Sequence, residues 1–154
     1  MSDRPLSMAE TPPAPAPPTY PAGAANVLVI VLDDLGFAQL GCYGSDLETP
    51  NLDRLAERGV RFTNFYATPV CSSTRGPIES GQNSARVGIT DFLPGHWKPF
   101  AKLIVPPMPD HLDHAVTTPG EALSRAGYVT GYFGKWHLGR AVDQLPSSHG
   151  YHIT

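Results

Sequence analysis

The sequence predicts an α/β fold with a mostly parallel sheet flanked by helices. Three segments, at 27–32, 60–66 and 128–133, have the apolar or alternating pattern of β-strands, and helical patterns lie between them. The resulting order is strand, helix, strand, loop, helix, strand. This order is typical of parallel sheets, whose ligands bind at the carboxyl ends of the strands.

The first predicted strand is a continuous run of valine, leucine and isoleucine at 27–32. It is too short for a buried helix and has the composition of a strand that is covered on both faces. The run ends at Asp33 and Asp34, because charged side chains cannot remain inside the sheet. These two carboxylates are therefore expected at a strand end.

A helix of about nine residues is predicted after this strand. Thr49 is suited to the N-cap, Pro50 to the first helical position, and Gly59 to the C-terminal stop. Its apolar stripe would contain Leu52, Leu55 and Ala56. The alternating segment 60–66 then predicts a short strand that leads the chain towards Cys71.

A second helix is predicted to follow Thr118 and Pro119, with Leu123 and Ala126 facing inwards and Gly127 as its stop. The segment 128–133 would be the next strand. The sequence has no internal repeat.

The stretch 91–118 contains five prolines and has no convincing periodicity, so we interpret it as a surface insertion. Five histidines occur in irregular segments without the spacing of metal ligands, and we expect them to be exposed polar residues: His96, His111, His114, His149 and His152.

Composition excludes several classes of partner. A formal net charge of -3 and the absence of lysine or arginine runs argue against nucleic acid, and no apolar stretch is long enough to span a membrane. Residues 1–24 are rich in proline and alanine and are predicted to be a disordered tail without the apolar core of a secretory signal. We therefore expect a soluble, cytoplasmic protein. Two cysteines, Cys42 and Cys71, are too few for a disulfide framework.

Three short motifs carry the chemistry. The Asp33-Asp34 pair would attract a divalent cation, and Cys71 lies four residues before Arg75, on the same face of a helix. Lys135 and His137, two residues apart after a predicted strand, would project to the same side if the backbone stays extended.

In this order and spacing, the motifs resemble those of the sulfatase family, in the alkaline phosphatase superfamily. The resembling stretches are 26–36, 40–44, 49–56, the cysteine motif and the run Gly-Lys-Trp-His-Leu-Gly at 134–139. The resemblance implies an alkaline phosphatase-like fold. Because sulfatase domains are usually several times longer, it also implies that 25–154 is the N-terminal part of a sulfatase-like catalytic domain.

The resemblance assigns the metal site and the nucleophile. Asp33 and Asp34 match the pair that binds a divalent cation in sulfatases, usually Ca²⁺, with Mg²⁺ or Mn²⁺ as alternatives. Cys71 matches the cysteine that sulfatases convert to formylglycine, whose hydrate is both the nucleophile and a metal ligand. A formylglycine-generating enzyme would then be a partner. Ser73 stands where the family usually has proline.

The other catalytic residues implied by the resemblance are Arg75, Lys135 and His137. Arg75 would pair with the modified side chain or with sulfate oxygens, Lys135 would neutralise the sulfate ester, and His137 would hydrogen-bond the oxygen of the nucleophile. The expected function is that of an arylsulfatase-like sulfuric ester hydrolase, acting on a sulfated small molecule or glycan.

Two alternatives stay open. A phosphoester or phosphonate monoester hydrolase of the same superfamily would use the same cation and cationic side chains. A catalytically inactive, sulfatase-like remnant is the second, and Ser73 favours it. The resemblance also implies that further metal ligands and the leaving-group acid lie outside the 154 residues. We therefore expect the chain by itself to be inactive.

Overall fold

The computed structural model describes residues 23–95 and 99–154, and helices are its main regular elements. Four are α-helices: α1 (Pro50–Arg58), α2 (Cys71–Ser80), α3 (Ser84–Val87) and α4 (Pro119–Arg125). Four are short 3₁₀ helices: Phe37–Gln39, Gly41–Tyr43, Val142–Gln144 and Pro146–His149. The predicted disordered tail, apart from residues 23 and 24, and His96 lie outside the described residues.

Both predicted helices are confirmed, but their N-termini differ. Thr118 caps α4 through a reciprocal pair: its hydroxyl accepts from the Glu121 amide, and its own amide donates to the Glu121 carboxylate at 2.9 Å. At α1, the Thr49 hydroxyl makes no capping bond. It accepts from the Gly41 amide at 2.8 Å and donates to Asp53 at 2.9 Å, which ties α1 to the preceding 3₁₀ helix.

Within 23–95 and 99–154, the predicted strands form no β-ladder. The run 27–32 has no regular secondary structure and is exposed, with Leu28 at 83% exposure, and the segment 60–66 is likewise without a paired strand. The segment 128–133 makes one isolated parallel bridge, between Gly131 and Ile153. An extended backbone becomes a strand only when a neighbour accepts and donates its hydrogen bonds, and local sequence preference supplies no neighbour. The parallel sheet is thus not confirmed.

The buried core lies beside α2 and under the Lys-x-His segment. It consists of Ile89, Leu93, Leu112, Trp136 and Leu138. The Leu112 amide donates to the Leu138 carbonyl at 2.8 Å, so the two segments also share a backbone hydrogen bond.

The interpretation of 91–118 as a surface insertion is wrong for both of its buried leucines. Leu93 and Leu112 are both buried in the core, and Met108 packs against it. The segment lacks periodicity because only isolated side chains turn inwards, which no helix or strand template detects. In α4, Leu123 is half-buried as expected, whereas Ala126 is exposed, since it follows the last helical turn.

His149 also departs from its prediction. Its ring is fully buried, stacked on His114 at 4.6 Å between centroids and lying against Trp136. Burial lowers the pKa of His149, because a charged imidazolium would lose its hydration there. Among the described residues, no helix has the length and apolarity needed to cross a membrane.

Candidate active site

Helix α2 places Cys71 at its first position and Arg75 one turn later. The backbone of Val70 is extended, and α2 is followed by Gly81, whose φ of 65° lies in the left-handed region that glycine adopts without strain. Cys71 is half-buried, and both cysteines are free thiols. The helix thereby presents one nucleophilic atom near its N-terminus.

Lys135 contacts this thiol and a nearby carboxylate. Its Nζ atom donates to the Cys71 Sγ at 3.1 Å and to Asp33 Oδ2 at 2.6 Å. The hydrogen bond from Lys135 holds the pKa of Asp33 below its ordinary value, and the same bond raises the pKa of Lys135. These three residues from separate segments therefore meet at one point.

Arg75 lies behind them and is buried. Its Nη2 atom is 3.6 Å from Asp33 Oδ1, and its Nη1 atom donates to the Lys135 carbonyl and, at 3.2 Å, to the Tyr132 hydroxyl. The Tyr132 hydroxyl in turn donates to the same Lys135 carbonyl at 2.7 Å. Arg75 thus contacts the carboxylate of Asp33 and the backbone of Lys135, which is the residue that binds the thiol.

Asp34 adds a second carboxylate beside Asp33. One ligand atom from each of Asp33, Asp34 and Cys71 lies within 4.8 Å of the other two. Because oxygen ligands of calcium lie at about 2.3–2.6 Å from the ion, atoms up to about 5 Å apart can share one cation. The two carboxylates are oxygen donors of the kind that hard divalent cations bind, and the spacing of the three atoms would allow one ion to contact all of them.

His137 is placed differently from the other predicted site residues. Its backbone φ is 58°, so the chain is not extended there and the expectation that His137 and Lys135 project alike fails. The ring lies edge-on to Phe92, and its Nε2 atom hydrogen-bonds the Leu93 carbonyl at 2.8 Å. Neither ring nitrogen bonds Cys71 in the described structure, since Nδ1 there has no hydrogen-bond partner.

The structure also brings in residues that the sequence interpretation missed. Tyr132 and Ser72 both bind backbone carbonyls of the Lys-x-His segment. Behind Arg75, the buried Glu79 accepts from the Tyr151 hydroxyl at 2.7 Å, and burial raises the pKa of both groups. A hydrogen bond to a main-chain carbonyl leaves no motif in the sequence, so only proximity to the recognised motifs could have suggested these residues.

The site combines a half-buried thiol with paired carboxylates and a lysine, the residue types that the sequence predicted for a hydrolase of the sulfatase class. Comparison with known proteins agrees with this class: the family model described as Sulfatase matches residues 25–152. The chain belongs to the sulfatase family. Membership implies an alkaline phosphatase-like fold, although the described residues do not confirm its parallel sheet.

Several curated proteins are similar to the chain. It is 40% identical to arylsulfatase A of Bos taurus over 135 residues, which are 85% of this chain and 25% of that protein. It is 38% identical to human N-acetylgalactosamine-6-sulfatase over 141 residues, 90% of this chain and 25% of the relative. An uncharacterised sulfatase of Schizosaccharomyces pombe is 40% identical over 128 residues. The chain spans about a quarter of the length of these relatives.

Proposed function

We propose that residues 25–154 are the N-terminal part of a catalytic domain that hydrolyses sulfate monoesters. The nucleophile would be a formylglycine derived from Cys71, and a divalent cation, Ca²⁺ or else Mg²⁺ or Mn²⁺, would be held by Asp33 and Asp34. The observation that carries the proposal is the contact of the Lys135 Nζ atom with both Cys71 and Asp33. It joins the predicted nucleophile, cation site and anion clamp.

In this proposal the chain's residues bind and orient the ester. Lys135 would neutralise the negative charge of the sulfate group as it grows towards the transition state. Arg75, which lies between Asp33 and the Lys135 carbonyl, would add a second positive charge and hold both partners in place. When bound, the cation would supply Lewis acidity beside the nucleophile.

His137 would take part through its Nδ1 atom. The Leu93 carbonyl occupies Nε2, so Nδ1 is the nitrogen left to hold or accept a proton at the site. Sulfated small molecules or glycans are the proposed substrates, by analogy with relatives named as arylsulfatase and N-acetylgalactosamine-6-sulfatase.

Modification of Cys71 is the first step to test. Ser73, at the usual proline position, is buried, with its hydroxyl bonded to the Val70 carbonyl and the Thr68 hydroxyl. We expect co-expression with a formylglycine-generating enzyme to convert Cys71, detected as the mass loss on replacing the thiol-bearing carbon with an aldehyde. The Ser73→Pro variant has the proline that is usual in the family and should convert more fully. It should still form the helix, because proline is tolerated in the first turn. An unmodified Cys71 in both proteins would favour the inactive remnant.

Turnover is the second step, and it is measured on the whole gene product after co-expression. We expect hydrolysis of an aryl sulfate that is abolished by Cys71→Ala, with a slower reaction on the matching aryl phosphate. Faster hydrolysis of the phosphate would identify a phosphoester hydrolase instead. For the 154-residue chain alone, we expect no useful turnover.

A further inference from the structure

Ser72 links the nucleophile helix to two other segments. It follows Cys71 directly and is fully buried. Its hydroxyl donates to the His137 carbonyl at 2.9 Å and accepts from the Leu93 amide at 3.1 Å. A single oxygen atom thus holds together helix α2, the Lys-x-His segment and the segment after residue 91.

These bonds form a closed circuit. Ser72 binds the amide of Leu93 and the carbonyl of His137, while the His137 ring binds the carbonyl of Leu93 at 2.8 Å. Each of the three residues therefore contacts the other two. If one of these hydrogen bonds is lost, the three residues no longer form a closed ring and the other two bonds are less constrained.

The circuit fixes the protonation pattern of the imidazole. A carbonyl oxygen can only accept, so the Nε2 atom of His137 must carry the hydrogen in its bond to Leu93. In the neutral ring, Nδ1 is then the unprotonated nitrogen. Nδ1 is buried and has no hydrogen-bond partner in the part of the chain that the structure describes.

The circuit also explains a strained backbone. His137 has a φ of 58°, in the left-handed region, which is uncommon for residues other than glycine and persists where the surrounding contacts constrain it. The hydrogen bond from Ser72 to the His137 carbonyl is one such constraint, because it fixes the peptide plane after the strained residue.

We propose that Ser72 is a positioning residue, whose hydroxyl holds His137 in its left-handed conformation and in the Nε2-H tautomer. The proposal rests on the proposed function only in treating His137 as a residue of the active site. It follows that Ser72, the residue directly after Cys71, determines which ring nitrogen of His137 is left unprotonated and without a hydrogen-bond partner.

The neighbouring Ser73 provides a matched control. It is equally buried and lies in the same helical turn, but its hydroxyl bonds only to Val70 and Thr68, within its own segment. Removing either hydroxyl deletes one buried polar atom, and only the change at Ser72 opens the circuit.

The test is nuclear magnetic resonance of the 154-residue chain labelled with ¹⁵N in its histidine rings. It is recorded at about pH 9, where an ordinary imidazole is neutral. The wild-type His137 should show a protonated Nε2 and an unprotonated Nδ1. Ser72→Ala should lose this split and show averaged shifts of both tautomers, whereas Ser73→Ala and the hydroxyl-retaining Ser72→Thr should keep it.

Two results would overturn the proposal. One is a wild-type His137 protonated on Nδ1, and the other is a Ser72→Ala variant with the wild-type split. If Ser72→Ala does not fold, amide exchange in the wild type decides: the Leu93 amide must be protected by Ser72, and free exchange there overturns the proposal. These spectra do not depend on sulfate turnover, so an inactive enzyme and a wrong assignment of Ser72 give different results.

Discussion

The Nζ atom of Lys135 lies 2.6 Å from a carboxylate oxygen of Asp33, and that contact links two segments 102 residues apart in the sequence. The same ammonium group donates to the thiol of Cys71. The ammonium group of Lys135 therefore contacts both the candidate nucleophile and one candidate metal ligand. The effect of removing this group can be measured separately at Cys71 and at Asp33.

At Asp33, the substitution Lys135→Met should raise the pKa of the carboxyl group towards its ordinary value, since the hydrogen bond from Lys135 is the largest cause of its lowering. A titration of the aspartate carboxyl carbons by nuclear magnetic resonance measures this. Lys102→Met, which removes an exposed lysine from another segment, is the control. A pKa that does not move in Lys135→Met would contradict the assigned ion pair.

Metal binding should depend on Asp33 and Asp34 together. We expect calorimetry to detect weak binding of Ca²⁺ to the chain, because two carboxylates supply only part of a shell of six or more oxygens. The double variant Asp33→Asn, Asp34→Asn should abolish it. Asp143→Asn, on an exposed residue outside the cluster, is the control. Equal binding by the double variant and the wild type would refute the site.

Tyr132→Phe should destabilise the protein by about 1 kcal/mol, the typical contribution of one intramolecular hydrogen bond. The substitution removes the hydroxyl that donates to the Lys135 carbonyl and accepts from Arg75, while it keeps the ring. Urea denaturation gives the change in unfolding free energy. Tyr66→Phe, on a ring that is 84% exposed, should change it little, and equal effects of the two would argue against the assigned role.

Acidification should destabilise the protein through His149. Since burial lowers the pKa of the folded-state ring below its ordinary value of 6.5, its neutral form contributes stability above that pH. This contribution is lost as the pH falls through the lowered value. Neighbouring groups act in both directions, because His114 and His111 lower the pKa further and Glu121 raises it.

The measurement is the unfolding midpoint in urea between about pH 7.5 and pH 5. His149→Leu should weaken the dependence on pH over this range, whereas the exposed His152→Gln keeps His149 and should retain it. The same slope in His149→Leu and in the wild type would mean that another group is responsible.

Leu112→Ala should cost about 2–5 kcal/mol of stability, as expected for a fully buried leucine whose removal leaves a cavity. The same segment contains a control, Ile104, which is 97% exposed. Ile104→Ala should leave the unfolding free energy almost unchanged. Equally small losses of unfolding free energy at both positions would support the original interpretation of 91–118 as a surface insertion.

Local signals in the sequence were sufficient for the two predicted helices, α1 and α4. Thr118, Pro119 and Glu121 determine the start of α4 through bonds within three residues, so no distant partner was needed. Leu93 and Leu112 could not be recognised as core residues, because their burial depends on Trp136 and Leu138 from a distant part of the chain. The predicted strands are not confirmed in the described residues for a related reason, since extended segments need partners that local patterns do not specify.

For the candidate site, the motifs placed Asp33, Cys71 and Lys135 in one region, and the structure brings their polar atoms into contact. Their catalytic roles stay predictions. Tyr132 and Ser72 could not be found from motifs, because their hydroxyls bind main-chain carbonyls that every residue type possesses.

The backbone of Asp34 has a φ of 54°, in the left-handed region. Apart from glycine, asparagine and aspartate are the residues that most readily adopt this conformation. Glutamate would keep the negative charge but strain the main chain, whereas asparagine and glycine would relieve the chain but lose the charge. Few amino-acid replacements at this position can therefore keep both the negative charge and the backbone conformation.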